Sequence, residues 1–479
     1  MKSIRFLAAV LVAAIILSHF PTGVFAQGPV SAKVEVALQR SLDNGGKADV
    51  IVYLEDRYGV GQALQKDDPQ AAARRAEANW WDVSAGLGKV QGRCEMLWII
   101  NACVIRGADK ALVKSLEKAA GIARIQGKTT VQLADENSSL GSGPLPVKGW
   151  NLRQIGAPSV WDMGITGVGV LVFNIDTGVD VTHPDLREGF AGEGAWADFT
   201  KNPKKEPYDD YGHGTHTMST AVGRNGIGVA PGAKWGACKG LDKNGYGEDV
   251  WILQCFQWIL TLPEGQRPQV VSNSWGGDAS SCSDGKCEIF RPAVDVLRAA
   301  GIPVVFSNGN EGPGAGTAGY PAYYPGVISV SATNYQDSVS IFSSCGPGPY
   351  KGVPNPILSA PGSIVYSAVP GGYDYFSGTS MAAPHVAGAI ALMHEVYDGL
   401  TVTETVRILT ETAYRPPAMT LSGHDNCYGW GRLDALAAVK RVSSEYAFYS
   451  LDISFSSASG ISGGFGWNGS LNPFDEGGK

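Results

Sequence analysis

Three short stretches of this chain carry side chains suited to proton transfer and acyl chemistry. In VLVFNIDTGVDVTHPDL an apolar run ends at Asp176, and the turn formers Thr177 and Gly178 follow. DYGHGTHTMSTAVG sets His213 and His216 three positions apart among small residues. YFSGTSMAAPHVAGAIALMHEV places Ser380 ahead of a run of Ala, Val and Gly, with Pro384 and His385 close behind. Each stretch alone has an ordinary structural reading. Asp before Thr-Gly caps helices and forms turns. The histidines are a buried structural pair, a metal site or a proton carrier. The zinc-hydrolase pattern needs a spacing of four with an intervening Glu, which is absent here. Ser380 reads equally well as the cap of a buried helix.

Together the three supply a carboxylate, an imidazole and a hydroxyl, in the order Asp, His, Ser. A hydroxyl is a poor nucleophile until a neighbouring base takes its proton. Imidazole is such a base near neutral pH. A carboxylate fixes the ring tautomer and stabilises the imidazolium. The N-terminus of the Ser380 helix adds N–H groups and a dipole that favour negative charge beside the hydroxyl.

Positioning these groups requires a scaffold, and the middle of the chain supplies one. GVLVFNID, WGACKGL, VVSNSW, IPVVFSNG and VISVSAT are strand-like apolar runs. The helical segments EDVWILQCFQWILTL and FRPAVDVLRAAG lie between them, and TVTETVRILTETAY and RLDALAAVKRV close the region. This alternation predicts an α/β fold with a mainly parallel sheet covered on both faces. In such sheets sites gather at the carboxyl ends of the strands, where Asp176 stands. Upstream, residues 27–134 predict a small α+β unit. ADVIVYLED and LWIINACVIRG read as strands, DPQAAARRAEANWWDVSAGL and DKALVKSLEKAA as helices, and GIARI and TTVQL as short strands. Residues 135–149 are a polar, Gly- and Pro-containing linker or processing region. Residues 150–442 form the α/β unit, and residues 443–479 a Gly/Ser-rich tail.

Residues 1–26 read as a secretory signal: Lys2 and Arg5, a short apolar core, and small residues at Val24 and Ala26. The expected product is exported, extracellular and free of the membrane once the signal is removed. A net charge of −7 gives no basic footprint for nucleic acid. The eight cysteines lack a zinc spacing, and export makes disulfides possible. Cys282 and Cys287 in CSDGKC suit a short clasp; the other pairings stay open.

FNIDTGVDVTHPDL, GHGTHT and GTSMAAPHVAG resemble, in order, the three signature blocks of the subtilisin-like serine proteases. The resemblance covers roughly residues 150–440. EPYDDYGHGTHTMSTAVG, GIGVAPGAKW and VVSNSWGG look most like the bacillopeptidase F group. It implies a three-layer sandwich and a secreted, broadly specific serine endopeptidase acting on polypeptides as a monomer. Asp176, His213 and Ser380 would be its catalytic residues, with His213 the general base and His216 and His385 structural. SNGNEGPG implies Asn310 as an oxyanion donor beside the Ser380 N–H. Ser274, Trp275 and Gly276 would form one substrate-binding edge and Gly245 and Gly247 the opposing one, with Gly319 at the base of the specificity pocket. Residues 27–134 resemble the family's inhibitor-like propeptides, which block the cleft until self-processing. No cofactor is needed for the chemistry. Calcium would be a structural ion, but only RNGI separates Gly223 from Gly228, too short for the family's ion-binding loop, so Asp185 lacks that partner. A different class of reading is a catalytically inactive relative that binds peptides.

Overall fold

The computed structural model describes residues 33–133, 146–278, 286–419 and 422–456. The signal segment, most of the linker, Cys282 and residues 457–479 lie outside the described residues. Helices labelled here are α1 (Val36–Asp43), α2 (Pro69–Ser84), α3 (Lys110–Lys118), α4 (His213–Val222), α5 (Asp249–Thr261), α6 (Arg291–Ala299), α7 (Thr379–Val396), α8 (Val402–Glu411) and α9 (Ala435–Ser456). The front sheet consists of β1 (Ala48–Leu54), β2 (Cys94–Leu97), β3 (Ala102–Ala108) and β4 (Ile122–Gly127). The strands β5 (Thr130–Gln132) and β9 (Tyr246–Glu248) pair with each other. The central strands are β6 (Leu171–Asp176), β7 (Trp196–Asp198), β8 (Lys234–Lys239), β10 (Val270–Asn273), β11 (Val304–Ser307), β12 (Ile328–Thr333) and β13 (Leu358–Pro361). A hairpin, β14 (Val365–Val369) and β15 (Gly372–Phe376), precedes α7.

The central sheet has the order β13-β12-β11-β10-β6-β8-β7, and every neighbouring pair in it is parallel. Its strands other than the half-buried edge strand β7 are buried on both faces, which is why they are nearly continuous apolar runs. On one face, α7, α4 and α9 form a core with Val172, Val270, Val305 and Val330. On the other, α5 and α6 pack on Phe173, Val271 and Phe306. α7 runs through the middle of its layer and is buried from Thr379 to His394. A helix enclosed on all sides cannot show a polar stripe, so its run of Ala, Gly and Val is the pattern that fits.

The front unit is an antiparallel sheet of order β2-β3-β1-β4. Its helices cover one face. The other face belongs to the same core as α5 and α6: Ile51, Tyr53, Leu97 and Val104 join Phe256, Ile259 and Leu297. The segment LWIINACVIRG is not one strand. Trp98–Ile100 form a single 3-10 turn, and Asn101 takes the left-handed conformation that reverses the chain into β3. That turn rests on α5, where the Ile99 N–H donates to Gln257 Oε1 at 3.3 Å. At the other end, α9 continues to Ser456, past the expected boundary at Val442. Tyr446 anchors the first turn beyond that boundary: its ring stacks on Tyr397 at 4.4 Å and its hydroxyl donates to Glu404 at 2.8 Å.

Disulfides join Cys94 to Cys103 across β2 and β3, Cys238 to Cys255 between β8 and α5, and Cys345 to Cys427. Cys287 is also disulfide-bonded.

Ile99 is fully buried where the front unit meets α5. Ile99→Ala is expected to lower stability by about 2–5 kcal/mol. A shift of the urea midpoint at unchanged slope is the measurement.

Candidate active site

Asp176 ends β6, and His213 opens α4. Two glycines permit their meeting. Gly212, before the helix, has φ 110°, a conformation costly for other residues. Gly214 lies against the turn after β6, where a Cβ would stand 2.1 Å from the Gly178 carbonyl oxygen and 3.1 Å from Asp176 Cβ. The Gly-His-Gly sequence is thus a requirement of close approach.

His213 Nδ1 donates to Asp176 Oδ1 at 2.7 Å, and both side chains are buried. The same oxygen accepts the Thr177 N–H at 2.7 Å, and Oδ2 accepts the Thr217 hydroxyl at 3.1 Å. These bonds fix the carboxylate. A proton on Nδ1 leaves Nε2 as the basic nitrogen of the ring.

Asp209 ties the two elements together. It accepts the Thr177 hydroxyl at 2.9 Å, the Gly212 N–H at 2.8 Å, and the Thr215 N–H and hydroxyl at 2.9 and 2.7 Å. Beneath it the buried Lys239 ammonium donates to the Thr177 carbonyl and to Asp210 at 2.7 Å.

Ser380 lies in the first turn of α7, which packs against α4 and crosses the ends of β10 and β11. Pro384 has no N–H to give the Ser380 carbonyl four residues back. The Ser274 hydroxyl fills that role, donating at 2.8 Å. In return the Ser380 hydroxyl lies 3.2 Å from the Ser274 carbonyl oxygen. Proline inside the helix therefore opens a bond that clamps the Ser380 turn to the strand edge at Ser274.

Asn310 is oriented by Thr379, the residue before Ser380. Its Oδ1 accepts the Thr379 N–H and hydroxyl, each at 2.9 Å. With Oδ1 so occupied, Nδ2 is directed to the side of Gly378, whose Cβ would lie 3.2 Å away. Asp209, Lys239, Thr217 and Thr379 were not singled out by the sequence. Thr217 and Thr379 lie inside two of the three blocks and Asp209 directly before one; nothing in the sequence marks Lys239.

The two glycine-bearing edges flank β5 of the front unit. Val131 pairs with Gly247 and Thr130 with Glu248. The Leu133 N–H donates to the Gly245 carbonyl at 3.0 Å. On the opposite side, Gln132 and Gly276 exchange N–H···O bonds at 3.3 and 3.5 Å. An extended segment thus lies between Gly245–Gly247 and Ser274–Gly276 as an added strand. The Trp275 side chain is turned away from that segment. Its indole is buried, donates to the Ile175 carbonyl at 2.9 Å and packs on Phe290 and Phe306. Gly319 bonds through its N–H to the Asn308 carbonyl at 3.1 Å, and a Cβ there would press on the Gly277 oxygen at 2.8 Å. Asp185 is buried, and its carboxylate accepts from Asn225 Nδ2 and from the Tyr373 hydroxyl at 2.7 Å. Two protein donors thus serve it.

The other helix histidines have fixed partners. His216 is buried, bonds through Nε2 to the Val365 carbonyl at 3.1 Å and stacks on Phe376. His385 donates from Nδ1 to the Met381 carbonyl and meets Asn151 Nδ2 through Nε2, each at 2.8 Å. Burial lowers His216 to about 3, helped by the nearby His213, and lowers His385 to about 4. A histidine held neutral in the fold but free to protonate when unfolded stabilises above its unfolded value and loses that contribution as pH falls. Between about pH 6.5 and about pH 4, each should cost about 1.4 kcal/mol of stability per pH unit. Urea titrations of the Ser380→Ala chain across this range test that slope, and His385→Gln should flatten it.

Residues 167–431, more than half of the chain, match the profile of the subtilase family. Bacillopeptidase F of Bacillus subtilis (strain 168) is 39% identical over 323 residues, 61% of this chain. The chain spans only 22% of that protein's length. Subtilisin E of the same strain is 33% identical over 393 residues, covering 81% of this chain and 91% of the subtilisin. The intracellular serine protease of Paenibacillus polymyxa is 38% identical over 257 residues, 51% of this chain and 72% of that protein. With this match, and an α/β core built on a parallel sheet, the chain belongs to the subtilase family of serine endopeptidases.

Proposed function

We propose that this protein hydrolyses peptide bonds through an acyl-enzyme formed on Ser380, and that it is made as an exported precursor which processes itself. The observation that carries the reading is the buried hydrogen bond from His213 Nδ1 to Asp176 at 2.7 Å. It commits the ring to the tautomer whose Nε2 takes a proton. In the proposed reaction Nε2 removes the Ser380 hydroxyl proton as Oγ attacks the scissile carbonyl carbon. Charge on the former carbonyl oxygen is met by Asn310 Nδ2 and the Ser380 N–H. The imidazolium returns its proton to the departing amine, and water then repeats the path to release the acid. Substrate enters as an extended strand along Gly245–Gly247 and Ser274–Gly276, so backbone bonds hold polypeptides of varied sequence. That dependence on backbone supports broad specificity. Structural calcium is compatible with this reading and is not part of the chemistry.

The seated strand supports the precursor reading. Antiparallel pairing of Gln132 with Gly276 sets a strand's position two residues further on opposite Ser274, whose carbonyl lies 3.2 Å from the Ser380 hydroxyl. A substrate in this register is cut after the residue that follows its Leu133 equivalent. In the precursor that bond joins Ala134 to Asp135. Export rests on the basic, apolar and small-residue sequence of the first 26 residues. Among the described residues no helix is long and apolar enough to cross a membrane.

A fluorophosphonate should label the processed protein covalently and fail to label Ser380→Ala; an unlabelled wild type would favour the inactive peptide-binding relative. Asp176→Asn should lower kcat by about 10⁴ with KM little changed. N-terminal sequencing and intact mass should place Asp135 first in the processed protein, with Ser380→Ala remaining uncut there; a start elsewhere would refute the register.

A further inference from the structure

Beyond the glycine edges, the cleft is extended by two carboxylates that stand at the head of α5. Glu248 is the last residue of β9, and Asp249 is the first of α5. Both are engaged by the front segment just before β5. Thr129 donates its N–H and its hydroxyl to Asp249 Oδ2, at 2.6 and 2.9 Å. Its carbonyl in turn accepts the Asp249 N–H at 3.1 Å. The other Asp249 oxygen is held by the Val250 N–H at 2.8 Å, so the carboxylate has a fixed orientation. Lys128 places its ammonium 2.6 Å from Glu248 Oε1 and 3.6 Å from Asp49 of its own unit. Glu248 Oε2 is buried without a hydrogen-bond partner. Thus one segment offers a cation, then a hydroxyl and an N–H, to an acidic pair in a fixed frame.

We infer that Glu248 and Asp249 form an upstream binding subsite that selects peptide substrates carrying a basic residue followed by a hydroxyl residue, in the register of Lys128 and Thr129. The inference rests on the endopeptidase reading and deepens it. Backbone pairing along β5 is blind to side chains, so discrimination comes from side-chain contacts, and those of Lys128 and Thr129 are polar and directional. Asp249 is fully enclosed while the strand is seated. Burial pushes its carboxyl up to about 7, and the bonds from Thr129 oppose that rise. An enclosed carboxylate costs free energy unless donors reach it, so a chain lacking the hydroxyl leaves part of that cost uncompensated. At Glu248 the favourable group is a cation. An apolar residue there would leave the half-satisfied carboxylate covered and unpaired, and an acidic one would repel it.

The test uses the processed enzyme obtained by expressing the full chain. Three decapeptides are compared: Lys-Thr-Thr-Val-Gln-Leu-Ala-Asp-Glu-Asn, the same peptide with Ala for its Lys, and the same peptide with Ala for its first Thr. The products are identified by mass. The parent peptide should be cleaved after its Ala with kcat/KM roughly tenfold above either variant peptide, a gap typical of a charge-assisted bond. Glu248→Gln should bring the Lys-dependent ratio to within about twofold of one, and Asp249→Ala the Thr-dependent ratio. Ratios compare substrates on one enzyme, so a general loss of catalysis or folding does not move them. Equal kcat/KM for all three peptides on the wild type overturns the inference while leaving the endopeptidase reading intact. A preference that persists in both variants also overturns it, because other groups then read the two positions. If the wild type cleaves none of the peptides and takes up no fluorophosphonate, the endopeptidase reading falls and the subsite falls with it.

Discussion

A charged carboxylate buried at the end of a parallel strand is the constraint around which this molecule is arranged. Asp176 is shut off from water, where an isolated charge is costly. Its stability there depends on three donors of different origin: the Thr177 backbone, the Thr217 hydroxyl on α4 and the His213 ring. Two of the three arrive on one helix, so that helix must lie almost against the strand. Gly214 makes the approach possible, and Asp209 locks it by bonding to both elements. A carboxylate held this way is an orienting group for the imidazole and has no remaining freedom to turn away.

The Ser380 side is organised by a different device. α7 is enclosed by the sheet and its neighbouring helices, which demands small side chains and leaves few polar handles along it. Its first turn is held in register by a missing donor, at Pro384, and a borrowed one, at Ser274. Thr379 performs the matching task for Asn310. The oxyanion-donor candidate and the nucleophile candidate are thus adjusted by neighbours in the chain, and the strand edge that pairs with Gln132 of the front segment is bonded directly to the turn carrying Ser380. The seated strand and the Ser380 turn are set by one connected frame.

Much of this was legible in the sequence. Strand and helix positions in the α/β unit followed from continuous apolar runs separated by amphipathic or small-residue segments. The three blocks pointed to the residues the fold gathers at the carboxyl ends of the strands. What escaped has identifiable causes. The turn at Trp98–Ile100 is as apolar as the strands beside it because it is buried against α5, so only Asn101 marked the reversal. Trp275 lies in an edge that binds peptide backbone, yet strand alternation turns its side chain into the core. Asp209, Lys239 and Thr379 stand at a bridge, a strand end and a helix start, places where polar residues are common and most have no special task. The end of α9 was hidden by serines whose neighbours, Glu445 and Tyr446, find partners on α8.

The front unit poses a last physical problem: what holds a short strand between the two glycine edges. Two sets of contacts answer it. The strand contributes the backbone bonds of Val131, Gln132 and Leu133 and the buried side chains of Val131 and Leu133. The rest come from a full sheet face, with Ile51, Tyr53, Leu97, Ile99 and Val104 packed into the core around α5 and α6. Each such side chain contributes on the order of 1.5–3 kcal/mol when removed from water. Cutting the chain beyond Leu133 breaks none of these contacts, so cleavage and release are separable events. The unit is held by its buried sheet face, and the strand is held between the glycine edges by the unit. An incoming peptide, lacking the sheet, has only the strand and whatever its side chains find at the margin of the cleft.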